Sequence, residues 1–116
     1  MKETLKLIHG ILDNKKAIDI RILDVSRICS FTNYFIICSG ANDKHIQTLA
    51  EEVRDQLKKQ QGLAPSHVEG FPTAEWVLMD YFDFIVHIQS IEAREFYELE
   101  KLWTDGQEID IQSYSA

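Results

Sequence analysis

The chain reads as one α/β domain: a mixed sheet of about five strands with helices packed on it. Three observations predict this. Two stretches repeat apolar residues at the spacing of a helix face, Leu5-Ile8-Leu12 and Ile46-Leu49-Val53-Leu57. Short runs rich in β-branched and aromatic residues lie between and after them, among them Tyr34 to Cys38 and Trp76 to Asp80. A strand, helix, strand passage in the middle requires a crossover, whereas the closely spaced later strands suit a hairpin. At 116 residues the chain can bury a single core without staples. Residues 1–105 are read as the domain and 106–116 as a polar tail.

In order, Thr4 is the candidate cap of a first helix whose apolar stripe adds Leu7 and Ile11. Ile18, Ile20 and Ile22 alternate with Asp19 and Arg21, the period of a half-exposed strand. Ser26 to Asn33 is a connection. Tyr34-Phe35-Ile36-Ile37-Cys38 is unbroken apolar sequence, as expected of a strand covered on both faces. Ser39 to Asp43 reads as a turn, with Asn42 or Asp43 capping the next helix and Gly62 ending it. Pro65 and Pro72 bracket a short edge strand over His67 to Phe71. The strands Trp76–Asp80 and Phe84–Gln89 follow. Ser90 then caps a last helix over roughly Glu92 to Trp103, with Phe96, Leu99 and Trp103 on its core side.

A net charge of −7 and scattered basic residues oppose unspecific nucleic-acid binding, which needs clustered Lys and Arg. An acidic domain suits a basic partner instead. No apolar run reaches the roughly 20 residues of a membrane span. The opening Met1-Lys2-Glu3-Thr4-Leu5 lacks the features of a signal peptide, so the expected location is the cytoplasm. Cys29 and Cys38 make no Cys-x-x-Cys and are expected as buried thiols.

The block from Trp76 to Trp103 holds both tryptophans and an ionisable set, Asp80, Asp83, His87 and Arg94. No His-x-x-x-His or His-Glu-x-x-His pair is present; Asp80, Asp83 and His87 could converge at a hairpin, as a metal site or simply as a polar edge. Ser39 lacks the first glycine of a Gly-x-Ser-x-Gly elbow. Nucleotidyl transfer needs paired carboxylates for two metals. Asp80 and Asp83 flank a turn, and Glu108-Ile109-Asp110 lies beyond the last helix, so the pair is missing. Trp76, Leu78 and Asp80 share one strand face, and Phe84, Val86 and Ile88 share another. Tryptophan and leucine beside an aspartate fit a protein interface, and fit equally a core tryptophan with a solvated strand end.

Four ordered motifs carry a family resemblance over nearly the whole chain. Asn33-Tyr34-Phe35-Ile36-Ile37-Cys38-Ser39-Gly40 is similar to an Asp-Tyr-Phe-Val-Ile-x-Ser-Gly segment of the ribosomal silencing factor (RsfS, Iojap-like) family. Glu69-Gly70 with Trp76-x-Leu78-x-Asp80-Tyr81, then Val86-His87-Ile88, then Arg94-x-Phe96-Tyr97-x-Leu99-Glu100-x-Leu102-Trp103 follow in the family's order. The resemblance implies a nucleotidyltransferase-like topology without catalytic carboxylates, no enzymatic activity and no cofactor. It implies a translation repressor that binds the large ribosomal subunit through ribosomal protein uL-fourteen and blocks joining of the subunits under starvation or stationary phase. It further implies a homodimer when free. Carried over by position, Trp76, Leu78 and Asp80 form the partner surface, with Tyr81, His87 and Arg94 as further candidates. Asn33 stands where the family has an acid, which removes an ion pair or merely exchanges one turn cap for another. The alternatives are a diverged Mg²⁺-dependent nucleotidyltransferase using Asp80 and Asp83, and a large-subunit assembly factor.

Overall fold

A computed structural model describes residues 1–70, 75–102 and 106–111, the side chain of Leu102 excepted. Phe71, Pro72, Trp103, Thr104, Asp105 and the end of the tail from Gln112 lie outside the described residues. The elements are α1 (Lys2–Asn14), β1 (Ile18–Asp24), β2 (Tyr34–Gly40), α2 (Asp43–Gln61), β3 (His67–Glu69), β4 (Trp76–Asp80), β5 (Phe84–Ser90), α3 (Ile91–Tyr97), α4 (Leu99–Leu102) and β6 (Gln107–Ile109).

The helix α2 forms where its signals place it. Asn42 is extended at φ −160°, and its side chain accepts from the His45 amide at 2.8 Å. Gly62 ends the helix in the left-handed region at φ 67°; its N–H bonds Lys58 and the Leu63 N–H reaches back to Leu57. The expected cap Thr4 sits instead inside α1, which begins at Lys2, and its hydroxyl donates to Gln61 Oε1 at 2.8 Å. This bond ties the start of α1 to the end of α2.

The strands form one six-stranded sheet in the order β3-β4-β5-β2-β1-β6. All neighbours are antiparallel except β2 and β5, which run parallel at the centre because α2 and the β3–β4 meander return the chain to the starting side. The mixed sheet expected from sequence is therefore present, with a sixth strand supplied by Gln107–Ile109 from the segment read as tail. Ile111 beyond it is buried.

Three local expectations change. Ser39 and Gly40 are not a turn: they pair with Gln89 and Ser90 as the last rungs of β2. A Cβ on Gly40 would lie 2.6 Å from Ile46 Cγ1 and 3.0 Å from its amide nitrogen, so glycine lets α2 start directly against the strand end. The alternation in β1 is interrupted by a bulge between Ile18 and Arg21, where Asp19 adopts φ 48°. Beyond it Ile22 and Leu23 are both buried. The last helix breaks at Glu98 (φ 46°, ψ 51°), whose N–H still bonds the Arg94 carbonyl at 3.0 Å. Leu99 is thereby turned inward, and Phe96, expected on the core side, is 80% exposed.

The two faces of the sheet are covered differently. On one, Ile22, Ile36, Cys38, Val77, Met79, Phe84, Val86 and Ile88 form a single core with Leu5, Ile8 and Leu12 of α1 and Ile46, Leu49, Val53 and Leu57 of α2. On the other, Leu23, Phe35, Ile37 and Ile85 cluster with Val25, Cys29 and Leu99, and Trp76 and Leu78 pack against them. Both cysteines are buried free thiols, as expected, and burial pushes Cys38 up to about 12.

Candidate functional site

The candidate site lies on the second face. Strand alternation sends Trp76, Leu78 and Asp80 to it, and all three are partly accessible. Glu69, Gly70, Trp76 and Leu78 line a shallow recess of about 330 Å³ at this edge.

Five rings descend from solvent into the sheet. Phe96 meets Tyr97 edge to face at 5.0 Å between centroids, and Tyr97 lies tilted against Trp76 at 4.9 Å. Trp76 lies tilted against His87 at 5.8 Å, and His87 meets the Phe35 ring edge to face at 4.9 Å. Exposure falls along the row, from the open Phe96 through the half-covered Tyr97 and Trp76 to His87, 4% exposed, and Phe35. Where the rings are buried, contacts of this kind each add about 0.5–1.5 kcal/mol to plain burial. At the inner end Trp76 Nε1 donates to His87 Nδ1 at 3.1 Å. Burial lowers His87 to about 3, so the ring is neutral at physiological pH.

Asp80 closes the β4–β5 turn. Its Oδ1 accepts from the Phe82 amide at 2.8 Å, and its carbonyl accepts from the Ser66 amide, also at 2.8 Å. Phe82 occupies φ 79° with its ring 76% exposed. A carboxylate that organises the turn holds this uncommon backbone in place.

The other three sequence candidates occupy different positions. Tyr81 belongs to the helix-side core, stacked on Phe84 at 4.9 Å, and burial pushes its hydroxyl up to about 12. His87 lies beneath Trp76. Arg94 is 7% exposed and clasps α3 to the sheet. Its Nη1 donates to the Ile18 carbonyl at 3.2 Å and to Ser39 Oγ at 3.4 Å, and it pairs with Asp19 at 3.4 Å and Glu100 at 3.3 Å. The structure thus brings Trp76, Leu78 and Asp80 together at an accessible edge and sets Tyr81, His87 and Arg94 behind the surface.

Phe96, Tyr97 and Phe82 are exposed aromatics that pattern reading did not assign to the site. Nothing in the sequence marks the break at Glu98, since glutamate is a good helix former. For Phe82 a signal existed, an aromatic between Asp80 and Asp83 at a turn. Among the described residues no three His, Cys, Asp or Glu side chains group as metal ligands. Glu108 of the Glu-Ile-Asp sequence pairs with Arg21 at 3.5 Å. No helix of the described residues is long and apolar enough to cross a membrane.

A family model described as "Ribosomal silencing factor during starvation" matches residues 1–116. The chain is 40% identical over 110 residues to the ribosomal silencing factor RsfS of Bacillus subtilis, covering 95% of this chain and 92% of that protein. It is 30% identical over 105 residues to a mouse protein named for mitochondrial assembly of the ribosomal large subunit, covering 89% of this chain and 46% of that one. A crystal structure from Chromobacterium violaceum superposes with a TM-score of 0.84 at 32% identity, covering 99% of this chain and 93% of its own. One from Bacillus halodurans gives 0.81 at 33%, covering 95% and 99%.

Proposed function

The chain belongs to the ribosomal silencing factor family, and from that premise we propose that it represses translation by occupying the large ribosomal subunit. In this reading the protein binds ribosomal protein uL-fourteen, covers the surface where the small subunit docks, and prevents joining under starvation or stationary phase. It acts in the cytoplasm, without cofactor or catalysis, and pairs with itself when free.

The observation that carries the reading is the graded aromatic row beside Leu78 and Asp80. An interface draws its affinity from a few aromatic anchors seated on a rigid base, and here Phe96, Tyr97 and Trp76 touch in a row that ends on a buried support. The net charge of −7 supports a basic partner, because opposite potentials raise the encounter rate. Among the six residues taken from the resemblance, Trp76, Leu78 and Asp80 are the proposed contacts; Tyr81, His87 and Arg94 act from behind them.

The mouse relative's name favours a second reading, in which the protein assists maturation of the large subunit. Both readings share a partner and differ in when it is met. The nucleotidyltransferase alternative has less support, because among the described residues Asp80 and Asp83 do not join a group of three potential metal ligands.

Sedimentation with purified ribosomal particles tests the proposal. The protein should travel with free large subunits and not with joined ribosomes. Trp76→Ala combined with Asp80→Ala should abolish this while circular dichroism stays unchanged. Retention of that double variant on large subunits rejects the assigned face; absence of binding by the parent protein rejects the function.

A further inference from the structure

Histidine is a costly choice at position 87. The residue sits mid-strand in β5, between Leu78 of β4 and Ile37 of β2, and is almost fully buried. Its Nε2 finds no hydrogen-bond partner among the described residues. A leucine would fill such a place without burying a polar atom. What leucine lacks is a lone pair facing Trp76. The indole N–H only donates, so the 3.1 Å bond fixes Nδ1 as acceptor and puts the ring proton on Nε2. The Phe35 edge and the two flanking strands leave the imidazole little freedom to turn.

We infer that His87 is a positioning residue: by accepting the indole N–H it locks Trp76 against Tyr97, so that the aromatic row meets its partner already formed. This rests on the docking role of Trp76 given above. An anchor held in its bound rotamer loses less freedom on association, and releasing one such side chain should weaken binding about five- to tenfold. The neutral state that the bond requires is secured by burial, which keeps the imidazole from protonating at physiological pH.

Two substitutions separate positioning from mere core filling. His87→Leu keeps much of the volume and removes the acceptor. His87→Asn loses volume, yet its Oδ1 can stand close to where Nδ1 stood. Stability should therefore favour leucine, whereas Trp76 order and docking should favour asparagine. The readouts are urea unfolding, affinity for purified large subunits, and hydrogen exchange of the Trp76 indole N–H by NMR, its resonance assigned by loss in Trp76→Phe. The expected result is slow indole exchange in the parent, fast exchange and about five- to tenfold weaker binding in His87→Leu, and recovery of most of both in His87→Asn. Leucine binding as tightly as the parent, or asparagine no better than leucine, overturns the inference. So does rapid indole exchange in the parent, which decides the matter even when neither variant folds. If the parent fails to bind large subunits, the docking role fails, while the exchange data still report whether His87 orders Trp76.

Discussion

The two faces of the sheet are built to different rules. The helix-covered face is filled by aliphatic side chains from two long amphipathic helices, packed on aliphatic strand residues and on Tyr81 and Phe84. The other face is covered by the short α3 and α4 and by the connection around Val25 and Cys29. Four of the buried polar side chains belong to this second side: Ser39, His87 and Gln89 by strand alternation, and Arg94 from above. Neither side-chain amide atom of Gln89 has a hydrogen-bond partner among the described residues. Each unmet polar atom costs about 1–3 kcal/mol, and among the described residues the helix-covered core holds one of its own, the Tyr81 hydroxyl. The difference is one of filling: two long helices pack one side, and the other holds buried polar side chains beneath the edge proposed for docking.

The largest test of that division is Leu49→Ala, at a fully buried position under α2. Urea unfolding should show a loss of about 2–5 kcal/mol, with the affinity of the remaining folded protein for large subunits unchanged. A change in affinity would mean that the faces are coupled.

Acid should strike the second face first. The folded pKa of His87 is about 3, below an unfolded value of about 6.5. Between these values the unfolded chain binds a proton that the folded chain excludes, so this group's contribution falls as pH drops below about 6.5. From pH 7 to pH 5 the loss is about 2 kcal/mol. Comparing urea midpoints of the parent and His87→Leu at both values isolates it, and equal pH slopes would count against the buried neutral ring.

Glu98→Gly should stabilise by about 0.5–1 kcal/mol, since a left-handed φ of 46° is easier for glycine than for glutamate. The melting temperature reads this directly. Destabilisation would show that the glutamate side chain, which pairs with Lys101 at 3.1 Å, outweighs the backbone term. The smallest change in stability should come from Phe96→Ala, within about 0.5 kcal/mol for an exposed side chain. Its affinity for large subunits should nonetheless fall severalfold, because the outermost ring of the row is gone.

How far these features could be read from sequence follows from what pattern encodes. The α2 caps at Asn42 and Gly62 are local chemistry and were legible. Alternation placed Trp76, Leu78 and Asp80 on one face, yet alternation gives a side and not a depth. His87 shares a side with Ile85 and Gln89, and only the covering elements decide that all three are buried. The break at Glu98 arises from tertiary demands, the burial of Leu99 and the clasp of Arg94, and leaves no trace in helix propensity. Strand β6 is too short and polar to announce itself; its pairing with β1 supplies what its composition lacks. The bulge at Asp19 is likewise unmarked by any glycine.

The parallel seam between β2 and β5 carries a consequence for how the chain reaches this state. Next to the seam, strands pair with near neighbours in sequence, β1 with β2, β3 with β4 and β4 with β5, while at one rim β6 returns to β1 from the far end of the chain. The seam joins Tyr34 to Phe84 across about fifty residues. Closing a loop of that length costs on the order of 3–4 kcal/mol before any contact rewards it. Two hairpin-like halves should thus fluctuate quickly and commit slowly, with the seam forming at the folding barrier. Substitutions at Ile36 or Val86 should retard refolding in stopped-flow traces. Truncating Ile109, in a strand that seals the far rim afterwards, should chiefly hasten unfolding.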